Sequence, residues 1–466
     1  MPSPARSRLA PSALAAWAIL GAARPALADP PVSAVDPARV AGIEQPELLA
    51  GDQQRTLAAG LLFVPREMVR LMFLAGGITA GLIRDEQVVP RVGELISPSP
   101  GNLSVIPSLF LDTRRRASFG AMMLASGNES GTRLSVGFGG IHDLLLESRF
   151  RFGFTRKVPI VLQIEGLADS RSTLDYLGVG QDPEHDARNV FRRDATARSA
   201  EYFEQRVRGI VSAGARLAPD WELFLSVSML RSRVEDTPGG GPGTISNVFA
   251  AGLVKGAPAY GKLCPASLNA APCAVESRIM YSEIALRLDT RPSTARPSAG
   301  VLLEGYTGIA HGTGDDPSIF YRMGGRAALF VPVLRSTNIF SPKIAVDAMY
   351  VPPGMPAPPF TALVSQPDFR GLDNRLDRLS IVASLDYRFS VMRYIGARLF
   401  VDFAVVGPDI GAAVDAEKRV AGGFGIDVFS KSTELLQFML SFSGEGPRAF
   451  LTFGVPTLFG DRQHRY

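Results

Sequence analysis

The sequence predicts an all-β protein: a 16-stranded antiparallel transmembrane β-barrel preceded by a short helical N-terminal segment. Three observations predict this fold class. The chain of 466 residues opens with a segment typical of an export signal. Hydrophobic residues make up 46% of it, yet no apolar run of about 18 residues follows the signal. From Gly101 onward, apolar and polar residues alternate in short segments between turn residues, which favours a membrane barrel over a soluble sandwich.

Residues 1–28 have the pattern of a cleaved secretory signal. Arg6 and Arg8 precede an apolar run over 13–23, and the sequence Ala-Leu-Ala ends at Ala28. The signal holds three of the 49 basic residues and no acidic ones, which leaves 46 basic against 45 acidic residues in the mature chain. A nearly neutral chain gives no reason to expect a nucleic-acid partner.

Residues 29–100 are predicted to form a periplasmic leader with an amphipathic helical segment. Pro and Ala dominate up to residue 59, and a helical pattern then pairs apolar Met68, Leu71 and Met72 with Arg66 and Arg70. We expect this helix near or inside the periplasmic mouth, where it would partly plug the lumen. An ordinary packing helix fits the pattern equally well.

Residues 101–466 are predicted to form the barrel, because apolar and polar side chains alternate with a period of two. The expected strands are 103–111, 116–126, 131–140, 145–155, 158–168, 196–217, 221–234, 276–290, 298–310, 318–331, 338–350, 378–390, 396–406, 418–429, 434–445 and 448–456.

The alternation predicts which face meets lipid. On the fourth strand, Leu146, Phe150, Phe152 and Phe154 oppose Glu147, Arg149 and Arg151; on the tenth, Tyr321, Met323, Ala327 and Leu329 oppose Arg322 and Arg326. An arginine on the lipid face at the midplane costs about 2–4 kcal/mol, so we expect the arginines to face inward. A soluble sandwich with the apolar face inward also alternates and stays an alternative.

Connections between these strands alternate between short turns and long loops at 169–195, 235–275 and 351–377, as outer-membrane barrels do. The only two cysteines, Cys264 and Cys273, lie in the second long loop. Because an exported chain enters an oxidising compartment, we expect them to form a small loop disulfide, and a free thiol or a metal site is a weaker alternative.

The stretch from Pro367 to Gly407 carries three ordered motifs. They are Asp-Phe-Arg-Gly-Leu at 368–372, Leu-Asp-Tyr-Arg-Phe at 385–389 and Leu-Phe-Val-Asp-Phe at 399–403. This order resembles the C-terminal half of bacterial surface antigen barrels, the BamA/TamA-like outer-membrane superfamily. Phe369, Leu372, Asp386 and Ala404 depart from the residues usual there.

The resemblance implies that a loop containing Phe369, Arg370, Gly371 and Leu372 folds into the lumen. It also implies that the carboxylates of Asp386 and Asp402 hold Arg370 there. A guanidinium has five donors and can bridge two carboxylates at once, which a lysine cannot do. The alternative is that Arg370 is a solvated loop residue and that the two aspartates are ordinary luminal charges.

The sequence contains no Gly-x-Ser-x-Gly elbow, His-Glu-x-x-His pair or Walker loop, so we expect neither an enzyme nor a cofactor, and no catalytic or metal-binding residues are assigned. The resemblance implies an outer-membrane location and a role in protein insertion or translocation. The expected partners are outer-membrane lipid and client outer-membrane proteins or periplasmic partners.

The region before the barrel lacks the pattern of a polypeptide-transport-associated (POTRA) domain, which in that superfamily captures client chains. One alternative is therefore a gated or passive pore, with a basic lumen lined by Arg149, Arg151, Arg322, Arg326, Arg388 and Arg398. The other is a structural, surface-exposed antigen.

Overall fold

The structure is a computed structural model that describes residues 103–453 except 113–114, 127–129, 140–141, 154–158, 184–185, 187–189, 192–199, 238–244, 246–253, 256–274, 293–296, 315–316, 372–374, 393 and 430–433. The predicted signal, the N-terminal helical segment, Cys264, Cys273 and Leu372 lie outside the described residues. The disulfide between the two cysteines therefore stays a prediction.

Sixteen strands form one closed antiparallel barrel in which each strand pairs with its neighbours in chain order. They are β1 (Leu103–Asp112), β2 (Arg115–Ser126), β3 (Ser130–Gly139), β4 (His142–Gly153), β5 (Ile160–Tyr176), β7 (Ala200–Ala218), β8 (Trp221–Asp236), β10 (Val275–Asp289), β11 (Gly300–Gly312), β12 (Ile319–Val333), β13 (Arg335–Tyr350), β14 (Leu379–Met392), β15 (Ile395–Gly407), β16 (Arg419–Phe429), β17 (Glu434–Ser443) and β18 (Gly446–Phe453). Pairing of β1 with β18 closes the barrel.

The described parts of the connections also contain two short strands, a 3₁₀ helix and a short α-helix. β6 (Val190–Phe191) and β9 (Val254–Lys255) pair with each other outside the barrel. A 3₁₀ helix covers Phe360–Ala362, and helix α1 covers Ile410–Asp415 with Asp409 as its N-cap. Within the described residues, no helix combines the length and the apolar character needed to cross a membrane.

The sixteen expected strands each overlap one strand of the barrel, so the predicted fold class is confirmed. The largest difference is at β5, which continues to Tyr176 instead of ending near 168. Asp169 and Arg171 look like loop residues in sequence, but Asp169 pairs with Arg171 at 2.7 Å and with Arg206 on the neighbouring strand β7 at 2.5 Å.

The apolar rows face outward, as predicted. Leu146, Phe150 and Phe152 are exposed on β4, and Tyr321, Met323 and Leu329 are exposed on β12. Arg322 and Arg326, which alternate with the second row, are buried inside. The sandwich alternative is therefore wrong, because a sandwich would bury the apolar rows.

The outward-facing residues of strand β8 show how tall the apolar band is. Outward-facing Leu225, Val227 and Met229 lie between Trp221 and Arg231. The ten residue steps from Trp221 to Arg231 rise about 25 Å at roughly 3.3 Å per residue and a tilt of about 40°. This height matches the apolar band of an outer-membrane barrel.

The outward row of β14 differs from the expectation of a uniformly lipid-exposed face. Leu385 is exposed, but Tyr387 and Phe389 are buried, although they share its side of the sheet. Their ring centroids are 5.4 Å apart, and Asn338 Nδ2 donates a hydrogen bond to the Tyr387 hydroxyl at 3.2 Å. Both residues lie at the end of β14 near the short turn to β15, so this part of the outer surface is packed.

Candidate functional site

The loop between β13 and β14, residues 351–378, folds into the lumen. Phe360 is buried, and its ring centroid lies 5.1 Å from that of Tyr176 and 5.3 Å from that of Tyr202. Four residues of the loop belong to one buried apolar cluster: Phe360, Ala362, Leu363 and Val364. The other members of the cluster include inward-facing residues of seven barrel strands. Apolar contact with the barrel wall thus carries the first half of the loop inward.

Arg370 occupies the centre of the second half of this loop. Its Nη2 donates to Asp386 Oδ1 at 2.6 Å and to Asp402 Oδ1 at 2.5 Å. Its Nε donates to Asp402 Oδ2 at 2.8 Å, and its backbone N–H donates to the same oxygen at 3.1 Å. All three side chains are buried. The structure therefore brings the three sequence-predicted charged residues together.

Further contacts fix the orientation of Arg370. Its guanidinium carbon lies 3.7 Å from the centroid of the Phe400 ring on β15, which is a cation–π contact. Ser441 Oγ on β17 donates to the carbonyl oxygen of Arg370 at 2.7 Å. Arg448 Nη1 on β18 donates to the carbonyl oxygen of Gly371 at 2.8 Å. The loop tip is therefore attached to β14, β15, β17 and β18.

The two neighbours of Arg370 in the chain, Phe369 and Gly371, are closely packed. A Cβ atom on Gly371 would lie 2.1 Å from the Phe369 ring, so only glycine fits this conformation. Phe369 is buried, and the Arg419 guanidinium carbon lies 4.6 Å from the centroid of its ring.

Other ion pairs anchor the loop on both sides of Arg370. Arg326 Nη2 on β12 donates to both carboxylate oxygens of Asp368, at 3.0 and 2.8 Å, and both residues are buried. Lys343 Nζ on β13 donates to Asp386. A buried guanidinium or carboxylate is tolerated only when it is paired, so these contacts define one position of the loop.

The loop that follows β5 also crosses the barrel. Val179 is fully buried, and Gly180 N–H donates to Leu376 O at 2.9 Å. Gln181 Oε1 accepts from Val406 N–H at 2.9 Å, and its Nε2 donates to Glu417 O at 2.7 Å. Two loops on the long-loop side thus contact each other and the opposite wall.

Five arginines of the expected basic lining are engaged with acceptors. Arg149 pairs with Glu165 at 2.8 Å and Arg398 with Asp427 at 2.8 Å. Arg322 pairs with Asp347, and Arg388 donates to the carbonyl oxygen of Pro297. Matching carboxylates on neighbouring strands therefore neutralise much of the positive charge that the sequence suggests.

Several residues of the site were not identified from the sequence: Lys343, Asp368, Phe400, Ser441 and Gln181. Asp368 and Phe400 lie inside the motifs at 368–372 and 399–403, so the sequence alone could have assigned them to the site. Lys343, Ser441 and Gln181 belong to other strands and loops, and only the closed register places them at the loop. Among the described residues, no group of three or more His, Cys, Asp or Glu side chains is arranged to hold a metal ion.

The fold and the site define a class: a 16-stranded outer-membrane-type barrel whose lumen holds an inward-folded loop fixed by a buried arginine. The crystal structure of BamA from Haemophilus ducreyi lacking POTRA domains 1–3 matches with a TM-score of 0.53 and 11% identity, over 76% of this chain and 70% of that chain. The likeness shows that this chain has the BamA barrel fold, as its motifs implied.

A second solved structure, CdiB from Acinetobacter baumannii, matches at a TM-score of 0.44 and 8% identity, over 75% of this chain and 59% of that chain. This match is too distant to carry an argument. No protein-family model matches the sequence, and no curated protein does.

Proposed function

We propose that this protein acts in the outer membrane as a non-enzymatic insertase or translocase for other proteins, with the β1–β18 seam as the place where a client strand pairs. The observation that carries the proposal is the short pairing at this seam. Within the described residues, β1 and β18 pair only from Leu109 with Phe453 to Asp112 with Phe450. By contrast, β7 and β8 pair from Tyr202 with Asp236 to Ala218 with Trp221.

Within the described residues, the seam pairs only part of β1. Residues Leu103–Ser108 of β1 pair with β2, while the described part of β18 ends opposite Leu109. An edge strand offers unpaired N–H and C=O groups, which form a template for another strand. A client chain that adds to this edge would satisfy its backbone hydrogen bonds inside the membrane, where unpaired groups cost several kcal/mol.

The luminal loop supports the proposal because it contacts the strands next to the seam. Arg370 O accepts from Ser441 on β17, and Gly371 O accepts from Arg448 on β18. Movement of the loop is thereby linked to the position of β18. The proposed order of the chain is a signal over 1–28, a periplasmic leader over 29–100 and the barrel over 101–466.

A disulfide across the seam tests this function. Leu111 and Leu451 are register partners, so Leu111→Cys and Leu451→Cys, in a background with Cys264→Ser and Cys273→Ser, would lock β1 to β18. The protein is reconstituted in vesicles, and folding of a small urea-unfolded outer-membrane barrel is followed by its gel mobility. We expect acceleration by the reduced form, loss of acceleration on oxidation and recovery with reductant.

The control locks a seam with longer pairing. Ala327→Cys and Ile344→Cys join β12 to β13 in the same background, and oxidation of this variant should leave client folding unchanged. If the oxidised β1–β18 variant accelerates folding as well as its reduced form, the seam is not the client site.

A further inference from the structure

The lipid-facing surface carries an apolar groove of about 730 Å³ across β7, β8, β10, β11 and β12. Its outward-facing lining residues form two adjacent rows of cross-strand partners. One row is Val211, Val227, Ser282, Ile309 and Tyr321, and the other is Ala213, Leu225, Ile284 and Thr307. Small side chains at Ala213, Ser282 and Thr307 create the depression between larger exposed neighbours. Because strands lie about 4.8 Å apart, the four strand spacings make it about 19 Å long.

A pair of arginines lies on the same outward face, toward the long-loop side. Arg231 on β8 and Arg278 on β10 are direct cross-strand partners, with their side chains 55% and 50% exposed. The partners Met229 and Met280 separate them from the groove row of Val227 and Ser282.

Two like charges directly opposite each other on a sheet repel and are destabilising. Here both arginines share one carboxylate. Arg231 donates to Glu276 through Nε and Nη2 at 3.0 Å, and Arg278 donates to it through Nε at 2.7 Å. Two guanidinium groups and one carboxylate leave a net positive charge, and these bonds use neither Nη atom of Arg278. This arrangement is suited to a second anion.

We propose that this surface is a binding site for a phosphorylated glycolipid of the lipid A type, with acyl chains in the groove and a phosphate on Arg231 and Arg278. The arginines stand at the upper edge of the apolar band, ten steps above Trp221, where a headgroup would lie. Guanidinium groups bind phosphate through paired hydrogen bonds. A groove that crosses five strands is broad enough for several chains, which favours a multi-acyl lipid over a lipid with a single chain.

The probe is purified diphosphoryl lipid A, added to the full-length protein in detergent and measured by native mass spectrometry with a fully dephosphorylated lipid A competitor. We expect a one-to-one complex and preference for the phosphorylated form. Replacing both arginines, Arg231→Gln with Arg278→Gln, should weaken binding about tenfold or more, since charge-assisted hydrogen bonds are lost.

Two variants separate a binding role from a structural one. Glu276→Gln removes the shared carboxylate and leaves both arginines, so lipid binding should strengthen, whereas a purely structural ion pair predicts no gain. Ser282→Phe fills the groove and should weaken binding of both lipid forms equally. Each variant must keep the heat-modifiable gel mobility of the folded barrel.

Three results would overturn the proposal. They are equal binding of the two lipid A forms, unchanged binding in the double arginine variant, and equally tight binding of phosphatidylglycerol. The last result would assign the arginine pair to phosphate lipids in general and remove the preference for the multi-acyl glycolipid.

Discussion

Arg370 is the residue on which the luminal loop depends most. A buried guanidinium is costly unless its donors are satisfied, and here Asp386 and Asp402 accept from three of its N–H groups. The Phe400 ring covers its face at 3.7 Å. Because the two aspartates belong to adjacent strands, one side chain fixes the loop against both.

Arg370→Ala should therefore destabilise the folded barrel. Removal of one partner leaves two buried carboxylates without their shared cation, and breaking such a pair costs about 3–5 kcal/mol. The measurement is the temperature at which the heat-modifiable gel band is lost. Arg370→Lys should recover only part of the loss, because an ammonium lacks the planar fork.

Arg375→Ala is the matched control. Arg375 lies in the same loop but pairs with the more exposed Glu445 at 2.9 Å, and Glu445 keeps Arg419 as a second partner, so the loss of Arg375 should cost less than the loss of Arg370. An Arg370→Ala barrel that melts like the wild type would show that the buried pair does not hold the loop.

The residues of this site were predictable to different degrees. The motif order placed Arg370, Asp386 and Asp402 in one group because their chemistry is complementary and their spacing is local. Lys343 was not found, since it meets Asp386 only through the β13–β14 register. The ion pairs of the luminal arginines could not be predicted either, because the number of residues between an arginine and a carboxylate on the next strand is not fixed.

At the scale of elements, the inward fold of loop 351–378 combines two forces. Apolar contact of Phe360 with Tyr176 and Tyr202 holds its first half, and the ion pairs of Asp368 and Arg370 hold its second. Apart from the 3₁₀ helix at Phe360–Ala362, the described part of the loop contains no strand or helix. The loop therefore has one position because the barrel wall supplies its partners.

Replacing residues 355–376 by a short Gly-Ser linker should raise ion conductance through the barrel. The loop and its contact with Gln181 occupy the lumen, and their removal leaves a polar wall of paired side chains. Single-channel recordings in planar bilayers measure the change. We expect rare, small openings in the wild type and a persistent open level in the shortened variant.

The same linker in place of 409–416 is the control for this measurement. Helix α1 packs through Ala413 against Leu379 and Val405 on the outer face, so its removal leaves the lumen filled. Equal conductance of the two variants would mean that the luminal loop does not block the path.

The strands were predicted well, but helix α1 and the end of β5 were missed. A period of two is imposed locally by the pleat, so β8 and β12 could be located from their own residues. Helix α1 was missed because Ile410 and Val414 face outward, and a single turn of helix carries too few residues to show a period of 3.6. The extension of β5 was missed because its charges are satisfied by distant partners, such as Arg206 with Asp169 at 2.5 Å.

At the scale of the whole molecule, the barrel is inverted relative to a soluble protein. Charged residues such as Glu165 and Arg326 are buried inside, and large apolar residues such as Leu225, Val227 and Phe150 are exposed. The polar residues survive inside because they are paired. The exposed apolar residues are stabilised only where acyl chains cover them, so the fold requires a membrane.

This orientation predicts a depth dependence for arginine substitutions on the outer face. Leu225 lies four steps above Trp221, near the middle of the 25 Å band, and its side chain is 55% exposed. Leu225→Arg should lower the unfolding free energy in bilayers by about 2–4 kcal/mol, because the guanidinium enters the hydrocarbon. Leu217 is 60% exposed but lies at the turn, so Leu217→Arg should cost about 0–1 kcal/mol. Reversible guanidinium unfolding in vesicles, followed by tryptophan fluorescence, gives both values, and equal costs at the two positions would contradict a lipid-facing row.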